Sequence, residues 1–161
     1  MIERITRPEI AVYLGRCRGK KISRVWKGHG SALFLELGRL HSMVSPKGKK
    51  LGAHGEITIQ VVWEWRIEKY ASILVGSANT AQRILNQIPK LKGRHVQEIA
   101  VSGRLPELNL ALSGDLWITT CTHWQGQPEW VIQYYEDETS MFVRRGGVCV
   151  EKDRGGWPTT T

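Results

Sequence analysis

Basic residues are concentrated near the start of the chain, in a pattern that suits contact with an anionic partner. Lysine and arginine neutralise phosphates and release bound counterions, which gives salt-sensitive binding that does not depend on base sequence. Trp26 lies among these residues, and an aromatic ring there can stack on a nucleic-acid base. The predicted contact residues are Arg16, Arg18, Lys20, Lys21, Arg24 and Lys27, followed by Lys47, Lys49 and Lys50.

The net charge of the chain is +8, and the whole excess lies in its first third. Residues 1–50 contain 12 Lys or Arg and 3 acidic residues, whereas residues 51–161 contain 11 Lys or Arg and 12 acidic residues. Such asymmetry favours an anionic partner, either a nucleic acid or an acidic protein. A basic surface that only aids solubility is the alternative, because the sequence has no helix-turn-helix, zinc-finger or RRM-type motif.

Two glycine-containing loops form a second candidate site. They are residues 28–31 and 103–107, and their candidate side chains are His29, Arg104 and Glu107. Loops on a rigid sheet often carry functional residues. Gly and Pro in these loops are equally explained by the geometry of turns.

Carboxylates and a cysteine–histidine pair are the side chains that could support catalysis or bind a metal ion. Glu64 and Glu68 can act as paired carboxylates. Arg66 lies between them, and the three residues are better explained as opposite charges on a solvated strand face. Cys121 and His123 lack the further ligands of a zinc motif and the third group that orients a nucleophile–base pair. We therefore predict no catalytic residue, metal site or cofactor. A metal-dependent enzyme is the least favoured alternative.

Seven tryptophans in a chain of 161 residues provide large rings for a core or for a contact surface. Trp63 and Trp65 alternate with apolar residues, so we expect both to face the core. Trp117, Trp124 and Trp130 are less constrained. If they are exposed, they favour a protein partner, because tryptophan is enriched at interface hot spots. An immunity-type or inhibitor protein that binds a toxin or a phage-defence protein is therefore the second hypothesis.

Alternating apolar residues predict that most of the chain forms β-strands. The longest such signal runs from Glu56 to Glu68. The segment Ser45–Gly55 has no apolar period and is expected to be a mobile loop. Further strands are expected at residues 33–37, 72–75, 108–112, 116–121, 130–135 and 141–150.

Two helices are also expected. The first begins near Thr6, with Pro8 and Glu9 in its first turn. The second begins near Ser77 or Asn79, and Pro89 ends or kinks it. Together with the strands they predict an α+β fold of mainly antiparallel strands.

Two segments of the chain resemble each other at a distance of about 74 residues. Gly19–Val25 and Gly93–Ile99 share a glycine, two basic-type residues and β-branched residues at matching positions, and alternating leucines follow each of them. We interpret this as duplication of a helix–hairpin–strands unit, with pseudo-symmetric halves at residues 6–76 and 77–151. Chance similarity between short strands is the alternative.

Length and composition favour a single cytoplasmic domain. The chain fits one domain, at residues 1–151, followed by a flexible tail at 152–161. The N-terminus is too charged for a signal peptide, and no apolar run approaches the length of a membrane span, so no membrane partner is expected. An odd number of cysteines favours a reducing compartment.

The glycine-, tryptophan- and leucine-containing segments 19–38, 55–68 and 103–113 resemble small uncharacterised bacterial proteins of the domain-of-unknown-function type. The resemblance covers most of residues 10–150. It implies a bacterial, cytoplasmic protein, and it brings no activity and no site residue.

Overall fold

The computed structural model describes residues 1–152, which form strands, two α-helices and a short 3-10 helix at Ile88–Leu91. The helices are α1 (Arg7–Gly15) and α2 (Ala81–Gln87). The strands of the first half of the chain are β1 (Ile2–Arg4), β2 (Ile22–Lys27), β3 (Leu33–Leu37), β4 (His41–Val44), β5 (Lys50–His54), β6 (Ile57–Val61), β7 (Trp65–Lys69) and β8 (Ser72–Gly76). Those of the second half are β9 (Val96–Ser102), β10 (Glu107–Leu112), β11 (Leu116–Thr120), β12 (Trp130–Tyr134), β13 (Thr139–Arg144) and β14 (Gly147–Lys152).

The strands form two antiparallel sheets and a separate hairpin. The first sheet has the order β1-β14-β13-β12-β6-β3-β2, and the second has the order β8-β7-β11-β10-β9. β4 and β5 pair only with each other. The fold is therefore α+β, mostly antiparallel β with two helices in one compact domain, as the sequence predicted. Among the described residues, neither helix is long and apolar enough to cross a membrane.

Apolar residues of both sheets belong to one core cluster. Leu35, Ile59 and Ile132 of the first sheet and Ile67 and Leu110 of the second are all fully buried members of it. Because side chains alternate along a strand, each sheet also has an outer face that points away from this core.

The helix ends largely match the sequence signals. At the start of α1 the Glu9 carboxylate accepts hydrogen bonds from the backbone N–H and the hydroxyl of Thr6, at 2.6 and 2.7 Å. These bonds lower the pKa of Glu9. Thr80, rather than Ser77 or Asn79, caps α2, and its hydroxyl accepts from the Arg83 N–H at 3.3 Å.

The predicted strand Glu56–Glu68 is wrong, because the chain leaves the first sheet after Val61 and enters the second at Trp65. Both segments bury alternate residues in the same core, so their apolar period continues across the bend. Trp65 is buried as expected, whereas Trp63 lies in the bend with 41% of its surface exposed. The expectation that both rings face the core therefore holds for Trp65 alone.

Three further predictions concern the segment Ser45–Gly55, residues 141–150 and the tail at 152–161. Ser45–Gly55 is not a loop throughout, because β5 and its partner β4 form a hairpin there; its residues are mostly exposed, so no apolar period marks it. The predicted strand at 141–150 is a hairpin that turns at Arg145 and Gly146, both of which have positive φ. The predicted tail at 152–161 lies outside the described residues except for Lys152, the last residue of β14.

The two glycine segments that resemble each other lie side by side. The Gly19 N–H donates to the carbonyl of Val96 at 2.7 Å, and the Gly93 N–H donates to the carbonyl of Ile22 at 2.8 Å. These two hydrogen bonds are reciprocal, since each glycine binds the β-branched residue three positions after the other.

Candidate anion-binding surfaces

The basic run from Arg16 to Lys27 does not form one exposed patch. Arg16 binds Asp137 at 3.0 Å and lies over the Tyr134 ring, with the guanidinium carbon 4.3 Å from its centroid. Arg18 binds Glu98 at 3.2 Å. Three of the six predicted residues therefore have carboxylate partners, the third being Lys20, which binds Glu56 at 3.4 Å.

Arg24 and Trp26 lie on the outer face of the first sheet, next to the hairpin. The Arg24 guanidinium donates to the Ala53 carbonyl at 2.8 Å and lies 5.3 Å from the Trp26 ring. Trp26 stacks on Phe34, with centroids 3.8 Å apart and planes within 8°. Lys21, which is exposed, and Lys27, which donates to the Gly28 carbonyl at 3.3 Å, have no carboxylate partner among residues 1–152.

The β4–β5 hairpin carries the other predicted lysines. Lys47, Lys49 and Lys50 are all exposed, and within the described part of the chain none of them pairs with a carboxylate. We call the outer face around Arg24, Trp26 and Phe34, together with these lysines, the hairpin surface.

Glu36 fixes the base of the hairpin against the sheet. Its carboxylate is buried and accepts hydrogen bonds from the Gly55 N–H at 3.0 Å, the Trp26 indole N–H at 3.1 Å and the Thr58 hydroxyl. His54 adds a stacked contact with Tyr135, with centroids 3.8 Å apart. The hairpin is thus anchored at its base, while its turn carries the exposed lysines.

A cleft of about 690 Å³ lies between α1, the end of β9 and the turn before β14. Four arginines, Arg4, Arg7, Arg18 and Arg104, line it, and among residues 1–152 its lining contains no carboxylate. We call it the arginine cleft. Of the three loop candidates, Arg104 lies in this cleft. In the sequence, Arg4 and Arg7 stand out only as part of the basic excess, because they are distant from Arg104 along the chain.

The other two loop candidates have local structural roles. His29 is exposed, and its backbone carbonyl accepts the Ala32 N–H at 3.3 Å in the turn between β2 and β3. Glu107 accepts from the Thr120 hydroxyl at 2.6 Å and from the Thr122 N–H at 2.8 Å. It therefore ties β10 to the segment that follows β11.

A second cleft, of about 630 Å³, has lining of mixed charge. Its side chains include Arg16, Lys20 and Glu56, together with His41 and His54. A hydrogen bond from the Arg39 N–H and the charge of Lys20 hold the pKa of Glu56 below its ordinary value. With cations and anions balanced, this cleft offers less attraction to an anion than the arginine cleft does.

The carboxylates considered for catalysis lie in different places. Glu68 forms an ion pair with Arg66 at 3.5 Å, as expected for opposite charges on a solvated strand face. Glu64 instead lies near the buried Glu129, whose carboxylate accepts the Glu64 N–H at 2.6 Å. Burial, followed by the negative charges of Glu107 and Glu64, raises the pKa of Glu129 to about 7.

Cysteine and histidine side chains meet at one exposed point. Cys121 Sγ and His123 Nε2 are 3.3 Å apart. Elsewhere, burial raises the pKa of the Cys17 thiol to about 11, so this thiol is a poor nucleophile at neutral pH. Within residues 1–152, no three His, Cys, Asp or Glu side chains are grouped so as to hold a metal ion.

The three tryptophans left open by the sequence divide between surface and core. Trp117 and Trp124 are 45% and 56% exposed, and Trp124 meets Trp63 edge to face at 5.6 Å. Trp130 is fully buried, and its indole N–H donates to the Pro106 carbonyl at 2.9 Å. The exposed rings are available to a partner, whereas Trp130 holds the loop that carries Arg104.

No known protein family matches the chain, and comparisons with curated proteins and with solved structures found no significant match.

Proposed function

We propose that this protein is a non-catalytic binding protein whose basic surface contacts an anionic partner, and that the partner is single-stranded nucleic acid. The observation that carries the proposal is the hairpin surface. There, a stacked pair of aromatic rings, Trp26 and Phe34, lies beside Arg24 under a hairpin with three exposed lysines.

The combination of rings and cations favours nucleic acid over an acidic protein. Single-strand binders pair a positively charged groove with aromatic side chains on which bases stack. The Trp26 ring is held in place from two sides, because its indole N–H donates to Glu36 and its face packs on Phe34. Ordering of the ring therefore costs little when a base binds, and the hairpin lysines are left to meet the phosphates.

Fluorescence anisotropy with a labelled oligothymidylate of about 12 nucleotides, a length within the usual site sizes, tests the proposal. We expect binding that weakens steeply as salt is raised. In the variant Lys47→Gln/Lys49→Gln/Lys50→Gln, the salt slope should fall by about 0.7 for each lost phosphate contact. Trp26→Leu should weaken binding at every salt concentration by the loss of base stacking.

The matched control is Lys90→Gln/Lys92→Gln/Lys152→Gln, which also removes three exposed lysines, none of them in the hairpin surface. If the control and the hairpin variant bind the oligonucleotide equally well, or if the wild-type protein does not bind it at all, the proposal is wrong.

A protein-binding role of the immunity or inhibitor type is the second candidate function. Three exposed tryptophan rings favour it: Trp63, Trp117 and Trp124. Affinity capture from a bacterial lysate, with and without nuclease, separates the two candidates. A protein captured after nuclease treatment, and lost in Trp63→Ala/Trp124→Ala, would favour the second.

We further propose that the two halves of the chain arose by duplication. Beyond the reciprocal glycine hydrogen bonds, the proposal is supported by the Trp65 indole, which donates to the Ser31 carbonyl at 2.6 Å, and by the Trp130 indole, which donates to the Pro106 carbonyl at 2.9 Å. Each tryptophan begins a strand and binds a loop at a matching place in a half. The β4–β5 hairpin has no counterpart between β10 and β11, which are joined by a short turn. The hairpin surface is therefore where the two halves differ.

Cytoplasmic location is also part of the proposal. The three cysteines are free thiols, and two of them, Cys17 and Cys149, are buried. Free thiols are the ordinary state in a reducing compartment.

A further inference from the structure

The arginine cleft is a second candidate site for an anion, formed by different residues from those of the hairpin surface. Its four arginines come from separate parts of the chain: Arg4 from β1, Arg7 from the start of α1, Arg18 from the turn after α1, and Arg104 from the loop after β9. All four are exposed, and within residues 1–152 only Arg18 has a carboxylate partner. The fold therefore places four cations along one cleft whose lining, in the described part of the chain, offers no acid to offset their repulsion.

Apart from Ser102, the other side chains of the cleft are apolar. They include Ile10 and Leu14 of α1, Ile99 and Val101 of β9, and Val148 of β14. A volume of about 690 Å³ falls within the usual range for small-molecule sites. The cleft is therefore suited to a ligand that has a strongly anionic group and an apolar or flat body.

We propose that the arginine cleft binds a terminal phosphate monoester, with the attached organic group against the apolar wall. A phosphate monoester carries more than one negative charge at neutral pH, whereas a carboxylate carries one. The guanidinium fork matches phosphate oxygens in bidentate geometry. A cluster of four such forks thus selects a dianion over a monoanion.

Two features hold the arginines in position. The Arg4 side chain lies against Gly147, where a Cβ atom would come within 2.5 Å of Arg4 Nε. The Arg104 loop is fixed by the hydrogen bond from the buried Trp130 indole to Pro106. Both contacts reduce the ordering that a ligand would otherwise have to impose on binding.

The register of the first sheet relates this cleft to the hairpin surface. Residues paired strand by strand form one row across the whole outer face. The row consists of Trp26, Phe34, Gln60, Val131, Phe142, Cys149 and Arg4. Six steps of about 4.8 Å separate its ends by roughly 29 Å. The phosphate monoester can belong to a free nucleotide or to the 5′ end of a strand that also contacts the hairpin surface; only the second source depends on the proposed function.

Calorimetric titration of the full chain tests the proposal with adenosine 5′-monophosphate, inorganic phosphate and adenosine. We expect the monophosphate to bind, inorganic phosphate to compete with it, and adenosine to bind far more weakly. In Arg7→Gln/Arg104→Gln, affinity for the monophosphate should fall by about tenfold or more, because charge-assisted hydrogen bonds are lost. The matched control, Arg39→Gln/Arg83→Gln, removes two exposed arginines outside the cleft and should bind like the wild type.

A second arm separates the two sources of phosphate. If the natural ligand is a strand end, a 5′-phosphorylated oligothymidylate should bind more tightly than its 5′-hydroxyl form, and the hairpin lysine variant should weaken both forms equally. If it is a free nucleotide, the two oligonucleotides should bind alike while the monophosphate still binds. Absence of monophosphate binding, or equal binding by the folded cleft variant, would overturn the cleft proposal and leave the hairpin proposal standing.

Discussion

Arg4 and Gly147 form a contact that only glycine allows. An ideal Cβ at position 147 would lie 2.5 Å from Arg4 Nε and 2.6 Å from its Cζ, so the guanidinium occupies the space that a side chain would fill. Residue 147 is not among the glycines with positive φ, and its backbone therefore admits alanine. Glycine is therefore needed at this position for the contact with Arg4 and not for the geometry of a turn.

Replacing this glycine should move Arg4 while leaving the fold intact. In Gly147→Ala we expect phosphate-monoester affinity to fall by up to about fivefold, the effect of losing one exposed charge contact. Thermal unfolding should change little, since the displaced atoms belong to the end of a flexible side chain. Gly15→Ala is the control, because no atom lies within 4 Å of its added Cβ. Unchanged affinity in Gly147→Ala would show that Arg4 does not contact the ligand.

Removal of the acid that pairs with Arg18 should have the opposite effect. Glu98 binds Arg18 at 3.2 Å but does not line the arginine cleft. In Glu98→Gln, Arg18 is released, so phosphate binding should tighten by up to about fivefold, as expected for an exposed ion pair. Calorimetry measures this directly, with Glu138→Gln as the control. A loss of affinity would contradict the role given to Arg18.

The buried Glu36 should contribute strongly to stability. Glu36→Ala leaves the Trp26 indole, the Gly55 N–H and the Thr58 hydroxyl without their acceptor. Because hydrogen bonds to charged groups are worth about 1.5–3 kcal/mol each and the losses overlap, we expect the free energy of unfolding in urea to fall by about 3 kcal/mol. The hairpin should also become sensitive to proteases. A loss below about 1 kcal/mol would argue against this network.

Glu129 should make stability depend on pH between about 4.5 and 7. Its pKa is raised from 4.5 to about 7 in the folded protein, so the folded state keeps a proton that the unfolded state releases. The contribution of Glu129 to the free energy of unfolding is therefore greatest below pH 4.5. It falls as pH rises through 7, by on the order of 3 kcal/mol in total. Urea unfolding across this pH range should show the decline in wild type and a flatter profile in Glu129→Gln. A matching decline in the variant would assign it to other groups.

Trp130 should link the core to the arginine cleft. Trp130→Phe removes the indole donor from the Pro106 carbonyl and leaves a small cavity, which should cost about 2–4 kcal/mol of stability. It should also loosen the Arg104 loop and weaken phosphate binding in protein that is still folded. The exposed Trp117→Phe is the control for both measurements. Wild-type affinity in folded Trp130→Phe would show that Arg104 needs no such support.

Alternating residues were enough to predict several strands, such as β3 and β10, and capping residues predicted the two helices, so the α+β class followed from local signals. They did not show that β6 and β7 belong to different sheets. Val61 and Trp65 face one core from two sheets, and a period of two continues through such a bend. The hairpin β4–β5 could not be predicted for the opposite reason. Neither of its faces is buried, so its sequence shows no alternation of apolar residues.

Charge counts located the basic excess in the first third of the chain, but they did not show which of its cations pair with acids. Arg16 meets Asp137, and Lys20 meets Glu56, across many residues of sequence, so their charges are reduced where the sequence placed them together. Arg4 and Arg104 line one cleft although they are distant along the chain. Only the folded structure shows which basic side chains lack an acidic partner.

The pairing of β1 with β14 joins the two ends of the described chain, with Ile2 opposite Glu151. Of the described strands, β1 is made before the others, yet its one partner in the sheet is β14. Arg4 and Gly147 therefore cannot meet until the strands between them along the chain have been made. Because residues 146–148 line the arginine cleft, the cleft cannot assemble before β14 has been made.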